Sequence, residues 1–213
     1  MPKKLIIFLI VMVAGGIWVG LEKLPINISD QLLTELAIDY LTKNNSPGTA
    51  LSIRYNLKIE KLAESPIGRG GIIYARTQLD AVTSNLYLVS NRINPSIKEV
   101  ISCRPHQNSA TPIIATAQKI FFNNQAYIIL YGDVYSDFMN PDQTESSRIS
   151  IEPAKLEVTT IDGRKKIINL ENINNFIMVI QGDTKVTELD LFGYKDNFIG
   201  NTKNGYRIDF EQY

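Results

Sequence analysis

Cysteine and histidine occur once each in the 213 residues, as Cys103 and His106. A disulfide framework needs cysteine pairs and a Cys/His zinc site needs about four ligands, so both are excluded. Charge of one sign is also lacking. The chain carries 22 Lys plus Arg against 22 Asp plus Glu, which leaves no sequence-wide footprint for nucleic acid or anionic lipid. Internal repeats are absent. What is present is ordinary for a folded protein: 44% hydrophobic and 21% charged residues rule out a disordered chain. The length fits one large domain or two small ones.

The N-terminus carries the strongest local signal. Lys3 and Lys4 precede an apolar run from Leu5 to Leu21, which ends at Glu22 and Lys23. Seventeen residues rising about 1.5 Å each make roughly 25 Å of helix, the short end of what crosses a hydrocarbon core about 30 Å thick. The expectation is an uncleaved signal-anchor over residues 1–23, a single-pass transmembrane helix built on Leu5, Ile6, Ile7, Phe8, Leu9, Ile10, Val11, Met12 and Val13, with Trp18 at the interface. Lys3 and Lys4 then set the topology, with the N-terminus cytoplasmic and the rest extracytoplasmic. Gly16 and Gly20 offer the small-residue spacing by which such helices pair into homo-oligomers. The alternative is a secreted protein cleaved at Ala14-Gly15-Gly16. The apolar run continues past that site through Ile17, Trp18 and Val19, which favours the anchor.

Beyond it, Leu24 to Ile28 reads as a linker opened by Pro25. Ser29 caps a helix over residues 30–43, in which Leu33, Leu36, Ala37, Tyr40 and Leu41 recur at spacings of three and four and share one face. The stretch Asn44 to Gly48 stops it. Leu51, Ile53, Tyr55 and Leu57 then alternate with polar residues, a strand period, and further strands are expected at Ile72–Ala75, Leu86–Val89 and Ile97–Ser102. Residues 24–104 thus read as an α+β unit, a helix on an antiparallel sheet. Arg104 to Thr111 is polar and carries Pro105, a candidate boundary.

Residues 105–213 read as all-β. Ile113–Phe122 and Ala126–Tyr135 flank Asn123-Asn124-Gln125 as a hairpin. Asp162-Gly163 marks a tight type I′ hairpin between Leu156–Ile161 and Arg164–Leu170, and Gln181-Gly182-Asp183 marks another between Asn175–Ile180 and Val186–Tyr194. Phe198-Ile199 and Tyr206–Phe210 supply edge strands. The succession resembles immunoglobulin-like β-sandwich modules of surface proteins at the level of pattern.

Chemistry-bearing residues are sparse. Cys103 and His106 stand three apart with Pro105 between them, which does not bring thiol and imidazole together as a catalytic pair needs. Asp133, Asp137, Asn140 and Asp142 have oxygen ligands suited to calcium but not the spacing of an EF-hand, and solvated turns are made of the same residues. Gly68-Arg69-Gly70-Gly71 precedes strand-forming residues, so it reads as a turn and not a phosphate loop. Arg164-Lys165-Lys166 reads as charge guarding a strand edge. Tyr127, Tyr131 and Tyr135 recur at spacings of four, on one side of a strand, as either a packing face or a ligand face. No catalytic residue, metal ligand or cofactor is expected. The function expected is a non-catalytic, membrane-anchored interaction or sensing module that binds a protein or cell-envelope component. An enzyme or accessory acting on envelope polymer and a structural spacer are the alternatives.

Overall fold

The computed structural model describes residues 7, 11–13, 16, 24–79, 82–91, 93–102, 112–122, 124–139, 148–170, 173–201 and 207–210. These form mostly antiparallel sheets with short helices, in two compact units, Met1–Arg104 and Pro105–Tyr213.

At the N-terminus the structure departs from the expected membrane span. Among the described residues no helix is long and apolar enough to cross a membrane. Ile7, Val11, Met12, Val13 and Gly16 are helical and exposed, while Lys3, Lys4, Leu5, Ile6, Phe8, Leu9, Ile10 and Trp18 lie outside the described residues. The single-pass signal-anchor, its cytoplasmic N-terminus and the extracytoplasmic placement drawn from it are therefore corrected. The physical reason lies in length: seventeen residues stand at the lower limit of the ~17–25 that a span takes, short of the ~20 typical of one.

In the first unit, helix α1 (Asp30–Lys43) lies where the three-and-four spacing places it. Ser29 Oγ accepts from the Leu32 amide at 3.2 Å, and Asp30 sits against the positive end of the helix. A second helix, α2 (Pro47–Asn56), replaces the strand expected at Leu51–Leu57. Pro47 suits a first helical turn, whose amide has no partner in any case, and the Ala50 amide closes that turn on the Ser46 carbonyl at 2.8 Å. The alternation there was not a burial pattern, since Leu51 and Tyr55 are 59% and 77% exposed while Ile53 and Leu57 turn inward.

Strands β1 (Lys58–Ile67), β2 (Gly70–Gln78), β3 (Val82–Ser90) and β4 (Ser96–Ser102) follow as a meander in the order β1-β2-β3-β4. Leu33 and Ala37 of α1 pack with Ile53, Ile59, Ile73, Tyr87 and Val89. Ile26 and Ile28 join this core, so the expected linker is part of the fold. A bulge in β1 at Lys61–Ala63 lets Lys61 serve both elements: its amide donates to Asp30 Oδ1 at 3.1 Å, and its ammonium reaches the Ile28 carbonyl and Glu64, each at 3.0 Å.

The second unit contains β5 (Ile113–Phe122), β6 (Gln125–Val134), β7 (Asp137–Met139), β8 (Arg148–Ser150), β9 (Pro153–Thr160), β10 (Lys165–Asn169), β11 (Asn175–Gln181), β12 (Val186–Gly193), β13 (Phe198–Asn201) and β14 (Arg207–Phe210). They make two four-stranded sheets, β11-β6-β5-β14 and β10-β9-β12-β13, with β7 and β8 paired separately. Ile113, Ala115, Ile128 and Leu130 of the first sheet share one core with Leu156, Val158, Leu189 and Leu191 of the second, a sandwich-like arrangement. This pairing replaces the immunoglobulin-like description, and two details depart from expectation. The strands β11 and β12 do not form a hairpin. Instead β11 pairs with β6 and β12 with β9, so residues 182–185 cross between sheets. β14 pairs with β5 in parallel, a contact no tight turn can make.

The β9–β10 hairpin forms, with a different turn. The Gly163 amide donates to the Thr160 carbonyl at 2.8 Å and the Thr160 amide to the Arg164 carbonyl at 3.0 Å, closing a three-residue loop. Only Gly163 has positive φ, +77°, whereas type I′ needs it at both central residues. Glycine at that position carries the bulge that joins the turn to β10.

Candidate functional site

At one end of the second unit the last residues of β6, β10 and β12 meet the first residues of β9 and β11. Between them lies a groove of about 410 Å³. Val134 and Leu170, 3% and 1% exposed, form its floor. Ile151, Pro153 and Ile173 give apolar walls, and Ser136, Glu152, Asn174 and Tyr194 make a polar rim. Backbone bonds hold the frame. The Val134 amide donates to the Asn174 carbonyl at 2.8 Å, Ile151 to Ser136 at 2.7 Å, and Ile173 to Leu170 at 3.1 Å.

Tyr194 is set by an unusual turn. In the 3-10 turn Tyr194–Asp196, which links β12 to β13, Lys195 has φ 57° and ψ 32° and Asp196 has φ 57°, so both are left-handed without being glycine. Each such residue costs about 1–2 kcal/mol and needs its surroundings to hold it. The Gly193 amide donates to the Asn197 carbonyl at 2.8 Å, and Lys155 Nζ lies 2.6 Å from Asp196 Oδ1. The same ammonium is 3.3 Å from Glu157 and 4.5 Å from the centre of the Phe192 ring, which stacks edge-on against Phe198 at 5.6 Å. Its hydrogen bond to Asp196 raises the Lys155 pKa, against a smaller opposing effect of desolvation and with Glu157 adding to the rise. The tether thus runs from the outer face of β9 to the turn that presents Tyr194.

That outer face carries a second electrostatic feature. Glu157, Glu188 and Asp190 face one side of β9 and β12, with Asp190 opposite Glu157 in register. Burial pushes the Asp190 carboxyl up, and the charges of Glu188 and Glu157 push it further. Among the described residues no group of three or more His, Cys, Asp or Glu is placed to hold a metal ion.

The residues singled out from sequence lie elsewhere. Tyr127 and Tyr131 share one side of β6, opposite the face that bears Ile128 and Leu130, and both are buried. The Tyr127 hydroxyl donates to Gln125 Oε1 at 2.6 Å. Tyr135 follows the end of β6, half-buried, with its amide on the Pro112 carbonyl at 2.8 Å. Gly68 and Arg69 form the β1–β2 turn. Asp133 is buried and Asp137 exposed, while Cys103, His106, Asn140 and Asp142 lie outside the described residues. Arg164 pairs with Asp162 at 2.7 Å and Lys165 with Glu157 at 3.6 Å, and Lys166 is likewise exposed on the β10 edge.

Sequence reasoning did not find Glu152, Asn174 or Tyr194. They come from three connections twenty or more residues apart, and none stands in a local pattern that marks a site. Comparison with protein-family models, with curated proteins and with solved structures returned no match.

Proposed function

We propose that this protein is a binding module that engages a partner protein through the groove at the end of its second unit. The observation that carries this reading is the groove's make-up: an apolar floor and walls, a four-residue polar rim, and a volume within the ~300–1,000 Å³ of ligand sites. The strained turn supports it, because backbone strain of this kind concentrates where a side chain must be presented in one place.

The test isolates the protein retained from source-cell extract by the full chain and measures its affinity for variants. Ile173→Arg, which puts a bulky positive charge in the groove wall, should weaken binding at least tenfold. Ile161→Arg, at the exposed β9–β10 turn, should leave it unchanged. Equal affinity for wild type and Ile173→Arg, or equal loss in both variants, overturns the reading.

A further inference from the structure

Glu152 is the one charged side chain in the groove lining, and among the described residues it makes no ion pair. Other acids of the same unit are matched: Glu157 by Lys155 and Lys165, Asp162 by Arg164, Asp183 by Lys119 and Asp196 by Lys155. Glu152, at the mouth of the groove, is not matched in this way. Opposite charge is therefore what the site lacks.

Tyr194 stands on the same rim, 52% exposed, and offers a ring face. An aromatic face attracts a cation within about 6 Å of its centre. Ser136 and Asn174 add acceptor oxygens to the rim. Below the rim the lining is aliphatic, which accommodates methylenes and not a second polar group. Arginine and lysine have this layout, an apolar stem with a charged head kept near solvent. A carboxylate or phosphate would meet no cationic lining residue and would face Glu152.

Resting on the binding-module reading, we infer that the groove takes a basic side chain, an arginine or lysine of a partner polypeptide, with its stem on Val134 and Leu170 and its charge between Glu152 and Tyr194. The planar guanidinium favours arginine, since it pairs with a carboxylate through two parallel bonds and stacks on an aromatic ring.

The probes are acetyl-Leu-Arg-Leu-amide, its citrulline analogue and acetyl-Leu-Glu-Leu-amide, titrated into the full chain by NMR or calorimetry at 50 and 300 mM salt. Citrulline keeps the shape and removes the charge. The arginine peptide should bind at least tenfold more tightly than the citrulline peptide, with the difference smaller at high salt. Glu152→Gln should abolish that preference and leave citrulline binding unchanged, and Tyr194→Leu should reduce it. Equal binding of the arginine and citrulline peptides, preference for the glutamate peptide, a preference that survives Glu152→Gln, or no binding of any peptide overturns the cationic occupant. In each of those cases the Ile173→Arg measurement on the intact partner decides separately whether the groove is the binding site.

Discussion

Lys155 and Asp196 hold one another across 2.6 Å, joining the outer face of β9 to a turn in which both Lys195 and Asp196 are left-handed. The salt bridge sets the position of the turn but does not remove the strain at Lys195, whose side chain is exposed. Lys195→Gly is therefore expected to stabilise the protein by about 1 kcal/mol, the left-handed cost less the added freedom of the unfolded chain. Thermal or urea unfolding measures it. Lys155→Met removes the tether and should lower the unfolding temperature. Because the folded-state pKa of Lys155 is raised above 10.5, the contribution is fully present below that value and is lost as pH rises through the folded-state pKa. The difference between wild type and Lys155→Met should accordingly narrow at strongly alkaline pH. A difference that persists there at full size refutes the assignment.

Asp190 and Asp162 should respond to acid in opposite ways. Burial and the neighbouring Glu188 raise Asp190 above the ordinary 3.8, so its neutral form suits the fold and its charge is a burden as pH rises through the folded-state value. Asp190→Asn is expected to raise the unfolding temperature at neutral pH and to have no such effect below about pH 3.8. At Asp162 the Thr160 hydroxyl, with Arg164 adding to it, holds the carboxyl below 3.8. That stabilisation is present above 3.8 and is lost as pH falls through the folded-state value, so Asp162→Asn should destabilise at neutral pH and converge with wild type in acid. Melting curves of both variants from pH 2 to 8 check the pair.

Leu33 is fully buried between α1 and the sheet, whereas Leu51 on α2 is exposed. Leu33→Ala should cost about 2–5 kcal/mol through lost burial and the cavity left behind. Leu51→Ala should change stability by no more than about 0.5 kcal/mol, because alanine is as good a helix former as leucine and nothing is uncovered. A large loss at Leu51 is the outcome expected of a core-facing strand, so it would refute the helix at Pro47–Asn56.

Local chemistry determined much of the element layout. Ser29, the three-and-four spacing to Leu41 and the break at Asn44 suffice for α1, since a cap, an apolar face and a stop all act within a few residues. The β5–β6 hairpin is similarly legible, because Asn124 takes the positive φ of 61° that its two-residue turn requires. At Leu51 to Leu57 two local signals compete, a strand-like alternation and the Ser46-Pro47 helix start, and backbone bonding within the turn prevails where Leu51 and Tyr55 face solvent.

Partner choice was not local. Gln181-Gly182-Asp183 announces a turn in sequence, yet whether β11 and β12 then pair depends on which sheet buries Phe176 and which buries Leu189. The groove belongs to the same class of fact. Val134, Glu152, Leu170 and Tyr194 are separated by up to sixty residues and meet because two sheets end together. Sequence alone set composition, the α1 helix and most strands, through interactions between near neighbours. The tertiary structure decided strand partners, the strained turn and the site, because each depends on surfaces that exist only once distant segments are packed.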